Sequence, residues 1–116
     1  MESNLALAHQ FLTSWAAADI GRFTGLLDED VSFESPMVAH RGRDAVAAAM
    51  ADFAQAVTGI DIIASAADGD SVVVMYDMHT GPFGAIRAAE HYRFRDGVII
   101  SDQLVFDSAP LRATDN

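Results

Sequence analysis

The hydrophobic period of this chain shifts from helical in its first half to alternating in its second. Leu5, Ala8, Leu12 and Trp15, with Phe11 beside them, recur at helical spacing and predict an amphipathic helix over residues 4 to 18. Asp19 is placed to cap a second helix, whose stripe of Ile20, Phe23, Leu26 and Leu27 stops at the acidic turn Asp28-Glu29-Asp30. A brief strand from Val31 to Glu34 follows. Ser35-Pro36 ends it, because proline has no ladder donor, and a loop runs to Gly42. A third helix begins there, with Val46, Met50, Phe53 and Val57 on its buried stripe and Asp44 in the first turn, where the helix dipole favours a carboxylate.

From Gly59 onward strands replace helices: Ile60 to Ala67, Val72 to His79, Ala88 to Arg95 and Val98 to Phe106. Turns are marked by Asp68-Gly69-Asp70, Gly81-Pro82-Phe83-Gly84 and Asp96-Gly97. Helices first and sheet second predict an α+β fold, with three helices packed on one face of a curved, mostly antiparallel sheet. At 116 residues, the chain is expected to be one domain spanning 1–116.

Two acids interrupt this alternation on its inward side. Glu90 shares a strand face with Ala88, Tyr92 and Phe94, while His91, Arg93 and Arg95 take the other. In the next strand Asp102 lies between Ile100 and Leu104 on a face that also holds Val98 and Phe106. A buried acid must be paired, neutralised or used, because an unpaired charge is too costly in an apolar interior. A two-residue loop at Asp96-Gly97 would turn one strand's apolar face outward. A three-residue loop, Arg95-Asp96-Gly97, is therefore expected, pairing Phe94 with Val98, Tyr92 with Ile100 and Glu90 with Asp102. Carboxyls directly opposed in this way would share a proton.

The preceding hairpin is less determined, since Val72 to His79 is apolar on both faces. With Pro82-Phe83 as the central turn residues, Val73, Met75, Asp77 and His79 join the Glu90 face, and Asp77, His79, Glu90 and Asp102 converge. A longer loop reverses the faces.

Composition narrows the chemistry. A net charge of −10 argues against nucleic acid and anionic membranes, which are bound through basic residues. The absence of cysteine removes disulfides and thiolate chemistry, leaving oxygen and imidazole groups. The N-terminal stretch has no basic region followed by an apolar core, and no apolar run is long enough to span a bilayer, so a cytoplasmic protein is expected. A metal centre built from Asp77, His79, Glu90 and Asp102 would hold one histidine and no spacing motif, so neither metal nor other cofactor is expected.

Four stretches resemble a known group: Phe11 to Asp19, Val31 to Pro36, Arg41 to Ala45, and Glu90-His91-Tyr92-Arg93-Phe94 with Asp96-Gly97. Together they are similar to the nuclear transport factor 2-like superfamily, in particular its SnoaL-like and ketosteroid isomerase-like members. The resemblance implies a cone whose helices and inner sheet face enclose an apolar pocket. It also implies a homodimer packed through the outer sheet face, a contact that Val72, Val74, Tyr76 and Met78 would suit. Matched to the isomerase pattern, the tyrosine of the first helix becomes Phe11 and the aspartate before proline becomes Ser35, leaving only an acid at Glu90. Steroid isomerisation by that mechanism is therefore not expected. Limonene epoxide hydrolases are similar too, but no inward Arg matches their Asp-Arg-Asp set.

The resulting expectation is a small cofactor-independent enzyme. It would carry out acid-base chemistry, whether isomerisation, cyclisation or hydration and dehydration, on a small hydrophobic carbonyl-bearing molecule. His79 oriented by Asp77 would move the proton, and the protonated member of Glu90 and Asp102 would donate to the developing oxyanion. Phe11, Trp15, Met37, His40, Met50, Met75 and Tyr92 are expected to contact the ligand. The alternative is a noncatalytic cone that binds a hydrophobic ligand or serves as a dimeric accessory subunit.

Overall fold

The computed structural model describes residues 2–112. Its elements run α1 (Asn4–Ala16), α2 (Ile20–Thr24), β1 (Leu27–Glu34), β2 (Ala39–Arg41), α3 (Arg43–Ala54), β3 (Val57–Asp68), β4 (Ser71–Thr80), β5 (Gly84–Arg95), β6 (Val98–Phe106) and α4 (Ala109–Arg112). The strands form a six-stranded sheet in the order β2-β1-β6-β5-β4-β3. Among the described strands the β1–β6 pair alone is parallel. This is the expected α+β arrangement, a curved open sheet with its main helices drawn from the N-terminal half.

Local chemistry explains the helix limits. Ser3 caps α1 by accepting from the Ala6 amide at 3.1 Å, and Asp19 caps α2 through the Arg22 amide. The apolar stripe of α1 buries Ala8, Phe11, Leu12 and Trp15. α2 is shorter than its stripe suggests: Leu26 and Leu27 leave the helix, and Leu27 opens β1. The acidic run Asp28-Glu29-Asp30 is thus strand rather than turn. Likewise Val57 begins β3 instead of extending α3, and the loop after Pro36 contains β2. The four-residue α4 had no forecast in the sequence.

The β5–β6 hairpin corrects the expected register in an instructive way. Its loop is the two-residue Asp96-Gly97, with Arg95 opposite Val98 and both loop residues at positive φ, 52° and 80°. The parity problem this creates is repaired inside the strand. Ile100 is an extra residue between the Phe94–Ile99 and Arg93–Ser101 pairs, a bulge that switches the following residues to the opposite face. Ile99 faces in before the bulge, and Asp102, Leu104 and Phe106 share the inner side after it. Asp102 therefore lies opposite Tyr92, and Glu90 opposite Leu104; the two acids are diagonal neighbours, not a direct pair.

The β4–β5 hairpin takes the longer loop. Thr80 pairs with Gly84 across Gly81-Pro82-Phe83, and Gly84 sits at φ 72°. Thr80 Oγ1 closes the turn, accepting from the Phe83 amide at 3.0 Å and donating to the Gly84 carbonyl at 2.7 Å. Val72, Val74, Tyr76 and Met78 consequently face the core and are almost completely buried. Val73, Met75, Asp77 and His79 face outward, the reverse of the two-residue-turn expectation. The outer-face contact proposed for Val72, Val74, Tyr76 and Met78 is excluded by the same register.

Candidate functional site

Between α1, α3 and the inner sheet face lies a cavity of about 740 Å³. Its walls are largely apolar: Trp15 from α1, Phe33 from β1, Met50 and Phe53 from α3, Leu104 and Phe106 from β6, and Leu111 from α4. Two contacts fix the helical wall. The Trp15 indole N–H donates to the Met50 carbonyl at 2.9 Å, and the rings of Trp15 and Phe53 stack with 6.3 Å between centroids. Met37 and Val38 border the cavity from the β1–β2 connection, where both are substantially exposed. Ser35, His40 and Asp52 supply polar atoms to the lining.

Behind this wall four buried polar side chains gather: Tyr76, Glu90, Tyr92 and Asp102. Tyr76 belongs to both regions, since it lines the cavity and its hydroxyl donates to Glu90 Oε1 at 2.7 Å. Burial first, then the charge of Glu90 and its hydrogen bond, hold the Tyr76 phenol well above the ordinary tyrosine range. Tyr92 is pushed up in the same direction by burial and by the charges of Glu90 and Asp102. For Asp102, burial and the neighbouring Glu90 raise the carboxyl well above the carboxylate range.

With both acids ionised, Asp102 would have no donor for either oxygen and Glu90 none for Oε2. Three orphaned acceptors in an apolar interior are too costly to keep. One retained proton removes much of that cost, because it turns Asp102 into a donor toward Glu90. The observed bond in this cluster is the one that Glu90 accepts from Tyr76, and a proton retained on Asp102 would give that carboxyl a donor to turn toward Glu90. The direct pairing expected from sequence is replaced by a diagonal one, which keeps the two carboxyls on the same sheet face.

The other two expected catalytic residues are elsewhere. Asp77 lies on the outer face, where Arg87 Nε and Nη2 donate to its two oxygens at 2.9 and 3.1 Å, and these bonds hold its carboxyl below the usual range. His79, also outside, pairs with Asp61 at 2.7 Å. Neither can reach Glu90 or Asp102 through the sheet, so the expected four-residue convergence does not form. Among the described residues no group of three or more His, Asp or Glu could hold a metal ion.

Of the expected ligand contacts, Trp15, Met37, His40 and Met50 line the cavity. Met75 does not, being on the outer face and 36% exposed. Phe11 and Tyr92 are buried in the core, packed edge to face at 5.6 Å and contributing no cavity wall. Ser35, where the isomerase pattern has its base, accepts from the amides of Met37 and Val38 and so shapes the cavity rim. Sequence reasoning set Tyr76 on the outer face and so missed its place in the cavity wall. The signal was available in Thr80 and Gly84, which suit a three-residue loop closed by a threonine hydroxyl and followed by a left-handed glycine better than a two-residue one.

The SnoaL-like domain family matches residues 8–101. The chain belongs to that family. No curated protein matches it by sequence. Among solved structures, a protein from Kribbella flavida DSM 17836 is 25% identical with a TM-score of 0.91, over 96% of this chain and 92% of that one. A proposed ketosteroid isomerase from the same organism is 22% identical with a TM-score of 0.76, over 90% and 78%. An LEH-like epoxide hydrolase of M. tuberculosis is 19% identical with a TM-score of 0.79, over 94% and 86%. These likenesses, with others to NTF2-like proteins, establish for this SnoaL-like chain the cone fold that the geometry describes.

Proposed function

We propose that this SnoaL-like protein is a small enzyme that moves protons on an apolar carbonyl-bearing molecule held in the 740 Å³ cavity. One observation carries the reading: Tyr76 is at once a cavity wall and the donor of a 2.7 Å hydrogen bond to the buried Glu90. A phenol held above its ordinary range is not ionised at neutral pH. It can still relay a proton if its own passes to Glu90 while its oxygen accepts one from the ligand. Returning the proton at a neighbouring position of the ligand completes an isomerisation with no net proton change. Protonated Asp102, donating to Glu90, keeps the second acid neutral throughout. Apolar walls exclude water and strengthen each of these contacts. Asp77 and His79 have no part in this scheme.

The test is hydrogen–deuterium exchange at carbons next to the carbonyl in a panel of apolar ketones, followed by proton NMR. Tyr76→Phe and Glu90→Gln are expected to lower exchange at least about 100-fold, the usual scale of general acid-base catalysis. Ligand affinity, read from Trp15 fluorescence, should change little. A second reading, a noncatalytic carrier of apolar ligands, is favoured by one fact: Glu90 and Asp102 do not line the cavity. Binding without exchange in the wild type would decide for it.

The same reading keeps the homodimer as a proposal, on a corrected surface. Ile63, Val73, Met75 and Val105 are exposed on the outer face of adjacent strands, with Met75 in line with Ala89 and Val105 across β4, β5 and β6.

A further inference from the structure

The cavity carries a charge preference that its apolar walls conceal. Asp52 is the one acidic or basic side chain among Asp, Glu, Lys and Arg in its lining. It is exposed on α3, one residue before the Phe53 that stacks on Trp15. Among the described residues it forms no salt bridge. No Arg contributes to the described lining, and the chain has no Lys. At the inner end stands Tyr76, bonded to Glu90. The net charge of −10 has the same sign as Asp52. An anion entering this space would find apolar walls and negative charge, with His40 as the one group among the described lining residues able to carry positive charge.

We propose that the cavity selects an apolar ligand bearing a protonated amine, seated with the amine on Asp52, and rejects carboxylates and phosphate esters of the same size. The proposal rests on the reading above that the cavity is the ligand site, and it narrows the substrate class to amino-carbonyl compounds. Asp52 acts as a specificity-determining residue: it holds one end of the ligand while the carbonyl end is directed toward Tyr76. Phosphate-bearing carriers of acyl groups are not expected as the attached form of the substrate, because no Arg or Lys among the described lining residues would neutralise them.

The chain's single tryptophan, Trp15, lies in the cavity wall and makes the test direct. Three probes sharing one aromatic ketone body, ending in an amine, a methyl group or a carboxylate, are titrated against wild type and Asp52→Asn by tryptophan fluorescence. The amine is expected to bind about three- to tenfold more tightly than the neutral probe, the scale of a partly solvated charge pair, and the carboxylate more weakly than either. Added salt should narrow both gaps. Asp52→Asn should remove most of the amine's advantage and leave the neutral probe unchanged; the substitution is on the surface and does not disturb the core. A carboxylate that binds as well as the neutral probe overturns the proposal, as does an amine preference that survives Asp52→Asn. If none of the three perturbs Trp15, the cavity reading itself fails and the proposal with it.

Discussion

Asp102 has the sharpest consequences at the scale of single residues. Its folded-state pKa is raised, so the folded protein holds a proton that the unfolded chain releases. Its contribution to stability is therefore fully present below the unfolded value near about 4 and is lost as pH rises toward the folded pKa. Asp102→Asn copies the protonated state. It should raise stability at neutral pH by about 1 to 2 kcal/mol and flatten the pH dependence above about 4, measured by urea unfolding across pH. Tyr76→Phe acts in the other direction. Removing the donor to Glu90 Oε1 leaves a buried acceptor unpaired and should cost about 1 to 3 kcal/mol.

Both acids were legible in the sequence because strand alternation exposes a polar residue at an inward position. Tyr76 was not, because β4 is apolar on both faces and alternation had nothing to choose between. Asp77 and His79 followed from that same missing choice. They are satisfied outside the sheet by Arg87 and Asp61, so Asp77→Asn and His79→Gln should leave ketone exchange at the wild-type rate.

Elements are where local geometry decided what the sequence pattern could not. The Asp96-Gly97 dipeptide is a strong two-residue turn signal, and it prevails. Alternation also prevails, because a bulge at Ile100 absorbs the conflict one turn of pleat later. Each local preference was readable, but the bulge that reconciles them has no marker at Ile100, a residue that fits either arrangement. Gly97→Ala is the corresponding test. At φ 80° an added Cβ is strained, and a loss of about 1 kcal/mol is expected in thermal unfolding, with the Glu90 and Asp102 signals unmoved.

On the outer face a second chain of bonds joins four strands: Glu34 accepts from Gln103 at 3.0 Å, Gln103 Oε1 lies 3.0 Å from His91 Nδ1, and His91 Nε2 lies 3.2 Å from Ser71. Because Glu34 as a carboxylate only accepts, it orients the Gln103 amide, and that in turn makes His91 Nδ1 the donor. The chain ties the parallel β1–β6 pair to β5 and β4. His91 is thus the structural surface residue its outward parity indicated.

For the whole molecule, the fold was largely evident in advance: helices first, sheet second, and motif stretches spread over nearly all of the chain. The cavity was evident only in part. Trp15 and Met50 were found because helical stripes point inward, and Leu104 and Phe106 share the inward parity of Asp102, whereas Leu111 lies on a terminal helix without a periodic signal. The outer face carries the prediction proper to this scale. Sedimentation equilibrium is expected to give a dimer, and Val105→Glu, at a position 60% exposed in the single chain, is expected to shift it toward monomer. A wild-type protein that stays monomeric at every concentration would remove the dimer proposal without touching the cavity. No described helix is long and apolar enough to cross a membrane.

All of these scales meet in one buried proton. Carbon-detected NMR of the side-chain carboxyls, titrated over pH and assigned with Glu90→Gln and Asp102→Asn, measures it directly. Asp102 is expected to titrate well above the usual carboxylate range, and to move back toward that range when Glu90→Gln removes the neighbouring charge. An Asp102 that titrates near about 4, indifferent to Glu90, would mean that the two acids hold no common proton, and the proton relay through Tyr76 would lose its foundation.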